Sequence, residues 1–308
     1  MSLVTLQDKE GHGMKVLSSN GHLFHSVALP ISYDEHLENI SDLEVRHDDV
    51  LFCAYPKSGT HWLWEVTNMV MNGRAEYSKD RNDVGMLDFI HRDNIDNLTS
   101  PRILNTHFRP CHLPQQVVHK KPKVILVVRH PKDIAVSYYN MVTGKKDAAN
   151  NTVDKLKPQD TYEGKWKHFL DMFLDGKVPY GSWFDYIESW DTIMRENPDL
   201  PVHVVKFEDM KKDPVEQVKK LATFLGSDIG HQTCEEIADA CSFHKLKKAC
   251  HGTKDMLCAI SWKAGGGLFR KGRAGEWKNW FDETQNDQFD RVYNKKLSQL
   301  SYLNRYQM

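Results

Sequence analysis

The stretch VLFCAYPKSGTHW, residues 50–62, decides the fold class of this chain. Its first five residues are apolar, which predicts a buried strand. A turn containing Lys57, Ser58 and Gly59 follows, and apolar residues then recur with helical spacing until Gly73, a residue type that commonly ends a helix. A buried strand that leads through a short turn into an amphipathic helix is typical of proteins with a parallel sheet covered by helices.

The turn at residues 55–60 also predicts a binding site for an anion, most naturally a phosphate. In such a turn, backbone N–H groups, the N-terminus of the following helix and the side chain of Lys57 meet at one point. The turn is not a complete P-loop signature, because the first glycine is missing and Lys57 precedes Gly59. These residues alone leave open an ordinary strand-to-helix turn, and a P-loop kinase that uses ATP and magnesium is a further alternative.

Strand and helix patterns alternate along the rest of the chain. Short apolar runs predict strands at residues 124–128 and 202–205. Helical spacing predicts helices after Pro131, at residues 216–225 and at residues 234–243. Strands that alternate with helices favour a parallel sheet with both faces covered.

These patterns predict the domain organisation. We expect a single α/β domain over residues 1–308, with a central parallel sheet flanked by helices. The polar start at residues 1–20 is expected to be poorly ordered. The glycine-rich stretch 263–275 is expected to form a mobile flap.

Two further groups of positive charge could meet the same anion. Arg129 directly follows the apolar run 124–128, and ligands of open α/β sheets bind at the carboxyl ends of the strands. A guanidinium can hold two phosphate oxygens at once, and Ser137 could add a hydroxyl group. The segment FRKGRAG, residues 269–275, carries three cations and two glycines. A surface ion pair of Arg129 and a solvated basic loop are the alternatives.

One histidine is a conditional candidate for a general base. His107 lies in the segment ILNTHF, residues 103–108, and is one of 16 histidines. A histidine in such an apolar setting is more often structural than catalytic. It becomes a base candidate only if the fold brings it to the anion site, because imidazole exchanges protons near neutral pH.

Composition argues against several classes of function. Lys and Arg total 41 against 42 Asp and Glu, a formal charge of −1, so we expect no nucleic-acid partner. The apolar runs are too short to span a bilayer and no signal-peptide pattern is present, which predicts a cytoplasmic protein without membrane contact. The six cysteines form no C-x-x-C pair, so we expect reduced thiols and no metal site.

Four segments occur together in an order that resembles the cytosolic sulfotransferase family. They are YPKSGTHW at 55–62, Arg129 with AVSYY at 135–139, FEDM at 207–210 and RKGRAGEWK at 270–278. The resemblance extends over almost the whole chain. It implies a P-loop-like turn that binds the phosphosulfate of 3′-phosphoadenosine 5′-phosphosulfate (PAPS). The implied reaction moves a sulfuryl group to the hydroxyl or amine of a small, largely apolar acceptor, such as a phenol, alcohol, steroid or amine. Adenosine 3′,5′-bisphosphate (PAP) is the implied product, and no metal is implied.

The resemblance also implies roles for individual residues. His107 matches the catalytic base, Lys57 the group that stabilises the leaving phosphate, and Ser137 is a third catalytic candidate. The implied donor-binding residues are Lys57, Ser58, Gly59, Thr60, His61, Trp62, Arg129, Ser137, Phe207, Cys241, Phe243, Phe269, Arg270, Lys271 and Gly272. The implied acceptor-binding residues are Met86, Phe89, His107 and Met141.

The chain departs from the family pattern at several positions. Asn105 stands where lysine is common, Phe207 where tyrosine is common and Cys241 where threonine is common. These changes predict slower turnover or weaker donor binding, and a non-catalytic nucleotide-binding protein is the alternative function. Asp282 and Glu283 replace the central Thr-Val of the dimer motif of vertebrate members, which leaves the oligomeric state open.

Overall fold

A four-stranded parallel sheet lies at the centre of the fold. The computed structural model describes residues 1–26, 29–78, 84–144, 161–250, 269–298 and 300. The strands of this sheet are β4 (Val50–Ala54), β5 (Ile103–Thr106), β6 (Lys123–Val128) and β7 (Val202–Lys206), in the order β5-β4-β6-β7. Three of them were predicted. β5 was not predicted, because Asn105 and Thr106 interrupt its short apolar run.

Helices connect these strands and cover the sheet. In chain order they are α1 (Tyr33–Ser41), α2 (Thr60–Asn72), α3 (Arg92–Asp96), α4 (Val117–Lys120), α5 (Pro131–Gly144), α6 (Trp166–Leu174), α7 (Trp183–Glu196), α8 (Phe207–Lys212), α9 (Pro214–Leu225), α10 (His231–Ala240), α11 (Phe243–Cys250) and α12 (Glu283–Leu297). Short 3₁₀ helices form at Pro110–His112 and Glu276–Asn279. The four helices predicted from the sequence correspond to α2, α5, α9 and α10. The last ends at Ala240, before residue 243, and α11 follows.

Alternate residues of the central strands pack on opposite faces of the sheet. Leu51 and Leu126 belong to the apolar cluster that includes side chains of α5, α6 and α7. Phe52 and Ile125 belong to the cluster that includes side chains of α2, α9 and α10. Burial on both faces explains the continuous apolar runs of β4 and β6. The predicted α/β class with a helix-covered parallel sheet is therefore confirmed.

A second sheet forms at the start of the chain. It is antiparallel and consists of β1 (Ser2–Gln7), β2 (Gly13–Ser19) and β3 (His22–His25). This differs from the poor order expected for residues 1–20. Met14 and Val16 alternate along β2 and are almost fully buried, and this short apolar pattern was hidden by the polar composition around it. Residues 263–268 of the expected flap lie outside the described residues.

Within the described ranges, no helix combines the length and the apolar character that crossing a bilayer demands.

The segment that aligns with the family dimer motif starts the last helix. The Asp282 carboxylate accepts the Gln285 N–H at 2.8 Å, and Gln285 Oε1 accepts the Asp282 N–H at 3.2 Å. This reciprocal pair is a capping box, which satisfies backbone N–H groups that an α-helix leaves without partners. The altered segment therefore has a role in the fold of the single chain.

A buried ion pair connects the starts of β4 and β5. Arg102 donates from Nε to Asp49 Oδ1 at 2.8 Å and from Nη2 to Asp49 Oδ2 at 2.6 Å, and neither side chain is exposed. The same guanidinium donates to the Glu44 carbonyl at 2.8 Å. The Val50 N–H donates to the Arg102 carbonyl at 2.9 Å. The pair thus sets how the two strands that lead to the site enter the sheet.

We predict that Asp49→Ala strongly destabilises the protein. The substitution leaves the buried Arg102 guanidinium with only the more exposed Asp96 carboxylate, at 3.7 Å, as a counter-ion, and breaking a buried pair in this way costs about 3–5 kcal/mol. Urea unfolding measures the loss in the free energy of unfolding. Glu44→Ala is the matched control, because the Glu44 side chain is exposed and only its carbonyl contacts Arg102. Its loss should stay within about 0.5 kcal/mol. Equal losses in the two variants would contradict the assigned role of the pair.

Candidate functional site

The turn between β4 and α2 has a backbone conformation suited to anion binding. Lys57 and Gly59 both have positive φ angles, 72° and 103°. A side chain at position 59 would bring a Cβ to 2.9 Å from Phe207 Cδ2, so only glycine fits without displacing that ring. Helix α2 begins at Thr60 directly after the turn. The N-terminus of α2, with its first N–H groups, therefore lies next to Lys57 and Ser58.

Arg129 connects this turn to the end of β6. Its Nη1 donates to the Lys57 carbonyl at 2.9 Å, and its Nη2 donates to the Arg273 carbonyl at 3.3 Å. The guanidinium carbon lies 4.2 Å from the centre of the Phe207 ring. The residue is only 9% exposed, and this burial lowers the pKa of its guanidinium. The fold thus brings together the first two predicted anion-binding segments.

The third predicted segment is held against the same place by Asp133. This buried carboxylate accepts the Gly275 N–H at 2.7 Å and the Trp277 N–H at 2.9 Å. Arg270 lies near Glu276, at 3.6 Å, and Lys271 pairs with the same carboxylate. The arrangement places a basic segment next to Arg129, whose pKa is lowered in part by the charge of Arg270. Asp133 was not identified from the sequence.

Two polar atoms at this junction are buried without a hydrogen-bond partner among the described residues. They are Ser58 Oγ and Arg129 Nε. Buried polar atoms in folded proteins almost always have partners. The oxygens of an anionic ligand could accept from each of them, and charged acceptors form the stronger bonds to a guanidinium. These two atoms therefore fit a phosphate-type ligand.

Aromatic side chains and one lysine lie beside the turn. The Trp62 and Phe207 rings meet edge to face, with centroids 5.3 Å apart. Lys211 Nζ lies 3.9 Å from the Trp62 ring centre, and burial lowers the pKa of Lys211 to about 8, with a smaller effect of the charge on Arg129. Phe243 lies against Gly272, where an added Cβ would come within 2.1 Å of Phe243 Cδ2. The sequence analysis did not identify Lys211. The only indication in the sequence was its position four residues after Phe207, which is one helical turn away if the segment is a helix.

His107 lies directly after β5 and faces the end of β4. Its Nδ1 is 2.6 Å from the Ala54 carbonyl oxygen, which can only accept, so Nδ1 carries the proton and Nε2 keeps its lone pair. Burial, together with smaller effects of the charges of His61 and Lys57, lowers the pKa of His107 to about 4, although the hydrogen bond to Ala54 opposes this. The ring also meets Tyr180 edge to face at 5.2 Å. His107 therefore lies beside the segment that leads into the turn at Lys57, and its role as a base stays a prediction.

Asp88 supports His107 from within the core. Both of its carboxylate oxygens accept the His107 N–H, at 3.1 and 3.2 Å. The Thr106 and Tyr180 hydroxyl groups also hydrogen-bond to this carboxylate. Burial raises the pKa of Asp88 to about 7 despite these bonds. Sequence reasoning missed Asp88, for which the only signal was a lone acid among the apolar residues 84–90.

The remaining predicted site residues lie at different places around the turn at Lys57 and His107. Met86 forms a backbone bridge with Asn105, two residues before His107. Phe269 lies 6.3 Å from Phe243, ring to ring. Cys241 caps α10 and its Sγ lies 3.6 Å from Met69 Sδ, so it packs in the core under α2. The partly buried positions are Ser137 and Met141 on α5, His61 on α2, and Phe89 after Asp88; Thr60 is buried at the start of α2.

Comparisons with known proteins agree with this geometry. A family model described as "Sulfotransferase domain" matches residues 47–301. Sulfotransferase 1B1 of the dog, Canis lupus familiaris, is 32% identical over 295 residues, which cover 92% of this chain and 94% of that protein.

Solved structures give the same result for the fold. The crystal structure of mouse sulfotransferase SULT7A1 complexed with PAP has a TM-score of 0.71 and 29% identity, and the match covers 92% of this chain and 94% of that one. A retinol dehydratase structure, in complex with androsterone and PAP, is similar in fold, with a TM-score of 0.74 and 18% identity over 95% of this chain and 92% of that one. Sequence motifs, sheet topology and family match agree, and the chain belongs to the sulfotransferase family.

Proposed function

We propose that this sulfotransferase moves a sulfuryl group from PAPS to the hydroxyl or amine of a small, largely apolar acceptor. One observation carries the proposal: Arg129 bonds to the Lys57 carbonyl, and His107 bonds to the Ala54 carbonyl of the same strand-to-turn segment. A cradle for a phosphorylated nucleotide and a neutral imidazole therefore meet at one edge of the sheet. The mouse relative crystallised with PAP supports a nucleotide donor of this type.

The two ends of the donor match two parts of the site. The turn at Lys57 and Ser58, with the N-terminus of α2, would hold the 5′-phosphosulfate. Arg129, with Arg270 and Lys271, would hold the 3′-phosphate. Buried Ser58 Oγ and Arg129 Nε would gain the hydrogen-bond partners that they lack among the described residues. Trp62, Phe207 and Phe243 provide aromatic surface for the adenine.

His107 is suited to take the proton of the acceptor. Its Nε2 lone pair is available because Nδ1 donates to Ala54, and its lowered pKa keeps the ring neutral at physiological pH. The Asp88 carboxylate positions the backbone of His107. PAPS supplies the sulfuryl group and leaves as PAP, and Lys57 and the N-terminus of α2 stabilise the negative charge that develops on the leaving phosphate. Met86, Phe89 and Met141 would line the acceptor side.

We predict that His107→Ala abolishes most transfer but leaves donor-product binding intact. Loss of a general base lowers kcat by about 10²–10⁴-fold. A labelled-PAPS assay over a panel of phenols, alcohols, steroids and amines measures kcat, and calorimetry measures the Kd of PAP. His119→Asn, at an exposed position on α4, is the control and should match the wild type. PAP binding by the wild type without transfer to any acceptor would favour the non-catalytic alternative.

We predict that His107 in the free protein titrates near pH 4, below an ordinary histidine. Protonation adds a charge to a crowded site that already carries Lys57, so the neutral form persists until the pH falls through the lowered pKa. NMR titration of the ring carbons measures this value, with His107→Ala to assign the signal. Lys57→Met removes a positive charge and should raise the pKa of His107. A wild-type value at or above 6.5 would contradict this environment.

We predict that Asn105→Lys raises kcat, because it adds a cation where charge develops in the transfer. Position 105 pairs with Phe52 of β4, and Phe52 packs in the cluster under α2, so the new side chain lies on the face that carries α2 and its turn. Asn105→Met is the control for side-chain length without charge. A kcat for Asn105→Lys that is unchanged or lower, at unchanged thermal stability, would show that the chain does not lack this cation.

A further inference from the structure

Three side chains of metal-ligand type meet outside the proposed donor and acceptor sites. They are His22 of β3 and Cys111 and His112 of the 3₁₀ helix Pro110–His112. One ring nitrogen or sulfur atom from each lies within 4.8 Å of the others. No local sequence pattern predicts this group, because His22 is far from the other two along the chain and the cysteines form no C-x-x-C pair.

Aromatic packing fixes the relative position of these residues. The His22 and His112 rings meet edge to face with centroids 4.5 Å apart. Phe24, also on β3, packs edge to face on Phe108 at 5.8 Å and on His112 at 5.2 Å. Because Phe24 is buried in the main core, its contacts fix the position of β3 relative to the segment after β5. The two histidines and the cysteine therefore meet through packing that does not depend on a metal.

The surroundings of the two histidines bear on their ability to bind a metal ion. His112 Nε2 is buried and has no hydrogen-bond partner in the described part of the chain. An imidazole binds a metal ion through the lone pair of one ring nitrogen. Arg109 is the neighbouring cation, and it pairs with Asp185 at 3.2 Å.

A surface cavity gives access to the group. The cavity has a volume of about 840 Å³, and Cys111 and His112 lie in its wall. Asp34 and Glu38 line the same cavity, and Asp34 pairs there with the Met1 ammonium group at 2.6 Å. Cys111 is exposed, whereas His22 and His112 are partly buried. A metal ion could therefore reach the group from solvent.

We propose that His22, Cys111 and His112 bind a divalent transition-metal ion of the zinc type. Two imidazoles and one thiolate are ligands that zinc prefers, and with three protein ligands the fourth position is left to solvent. Metal–ligand bonds of about 2.0–2.3 Å require ligand atoms roughly 3.3–3.6 Å apart, so the ligand atoms would have to move closer from their present spacing of up to 4.8 Å. The Cys111 thiol gives up its proton on binding, and the metal replaces it.

Binding would join two parts of the fold. The ion would connect the N-terminal antiparallel sheet to the segment that follows β5 and His107. A ligand that binds only the folded state stabilises it in proportion to ln(1 + [L]/Kd). The inference does not depend on the proposed transfer reaction, because none of the three ligands is assigned to the donor or acceptor site.

The test uses the full-length protein, Zn²⁺ and Co²⁺ as probes, and readouts other than activity. Cys111→Ser and His22→Asn each remove one ligand, and His119→Asn is the control for an exposed histidine nearby in sequence. We expect wild type and His119→Asn to bind one Zn²⁺ at this site and each ligand variant to bind it at least about tenfold more weakly. Competition with a chromophoric chelator measures the affinities, and thermal unfolding without metal checks that the variants fold.

Cobalt reports the coordination directly. Co²⁺ bound to the wild type should show a thiolate-to-cobalt charge-transfer band that is absent in Cys111→Ser and weakened in His22→Asn. Zn²⁺ should raise the Tm of the wild type and of His119→Asn but not that of Cys111→Ser. Equal Zn²⁺ affinity in the wild type and both ligand variants, or a cobalt spectrum without a Cys111-dependent band, would overturn the proposal.

Discussion

The buried guanidinium of Arg129 connects the segments that meet at this edge of the sheet. It bonds to the carbonyl of Lys57 on one side and to that of Arg273 on the other, and it packs on the face of Phe207. Burying a positive charge is costly unless an anion or several hydrogen bonds compensate it. The two carbonyls, the aromatic face and the charges of Asp133 and Glu208 compensate in part, and a phosphate would add to this compensation. The arrangement suits the anion-binding role that we propose for this site.

Carboxylates support this positive site through backbone contacts. Asp133 accepts two N–H groups of the segment that carries Arg270 and Lys271. Asp88 accepts the N–H of His107 with both of its oxygens. Each acid thereby orients a loop with hydrogen bonds that strengthen in the interior of the protein. The basic side chains thus provide the positive charge, while Asp133 and Asp88 fix the positions of the loops.

The departures from the family pattern have different structural meanings. Phe207 packs between Arg129 and Gly59, so its ring is part of the cradle even without a hydroxyl group. Cys241 contacts Met69 in the core beneath α2. Asn105 lies in β5, two residues before His107, and is fully buried. Of the three, only position 105 replaces a charged side chain near the proposed reaction centre.

Local sequence was sufficient for β4, β6 and β7, for the helix after Gly59 and for the turn between β4 and α2. These features depend on side-chain periodicity and on turn residues within a few positions of one another, and both can be identified from the local sequence. The N-terminal sheet was missed because its alternation is short and its buried residues, such as Met14 and Val16, lie among polar ones.

Long-range packing was needed for the protonation state of His107, the supporting carboxylate of Asp88 and the meeting of His22 with Cys111 and His112. Each of these joins segments that are remote along the chain. The distances between these side chains and their burial are set only when the helices pack on the sheet, and no local sequence pattern encodes that packing.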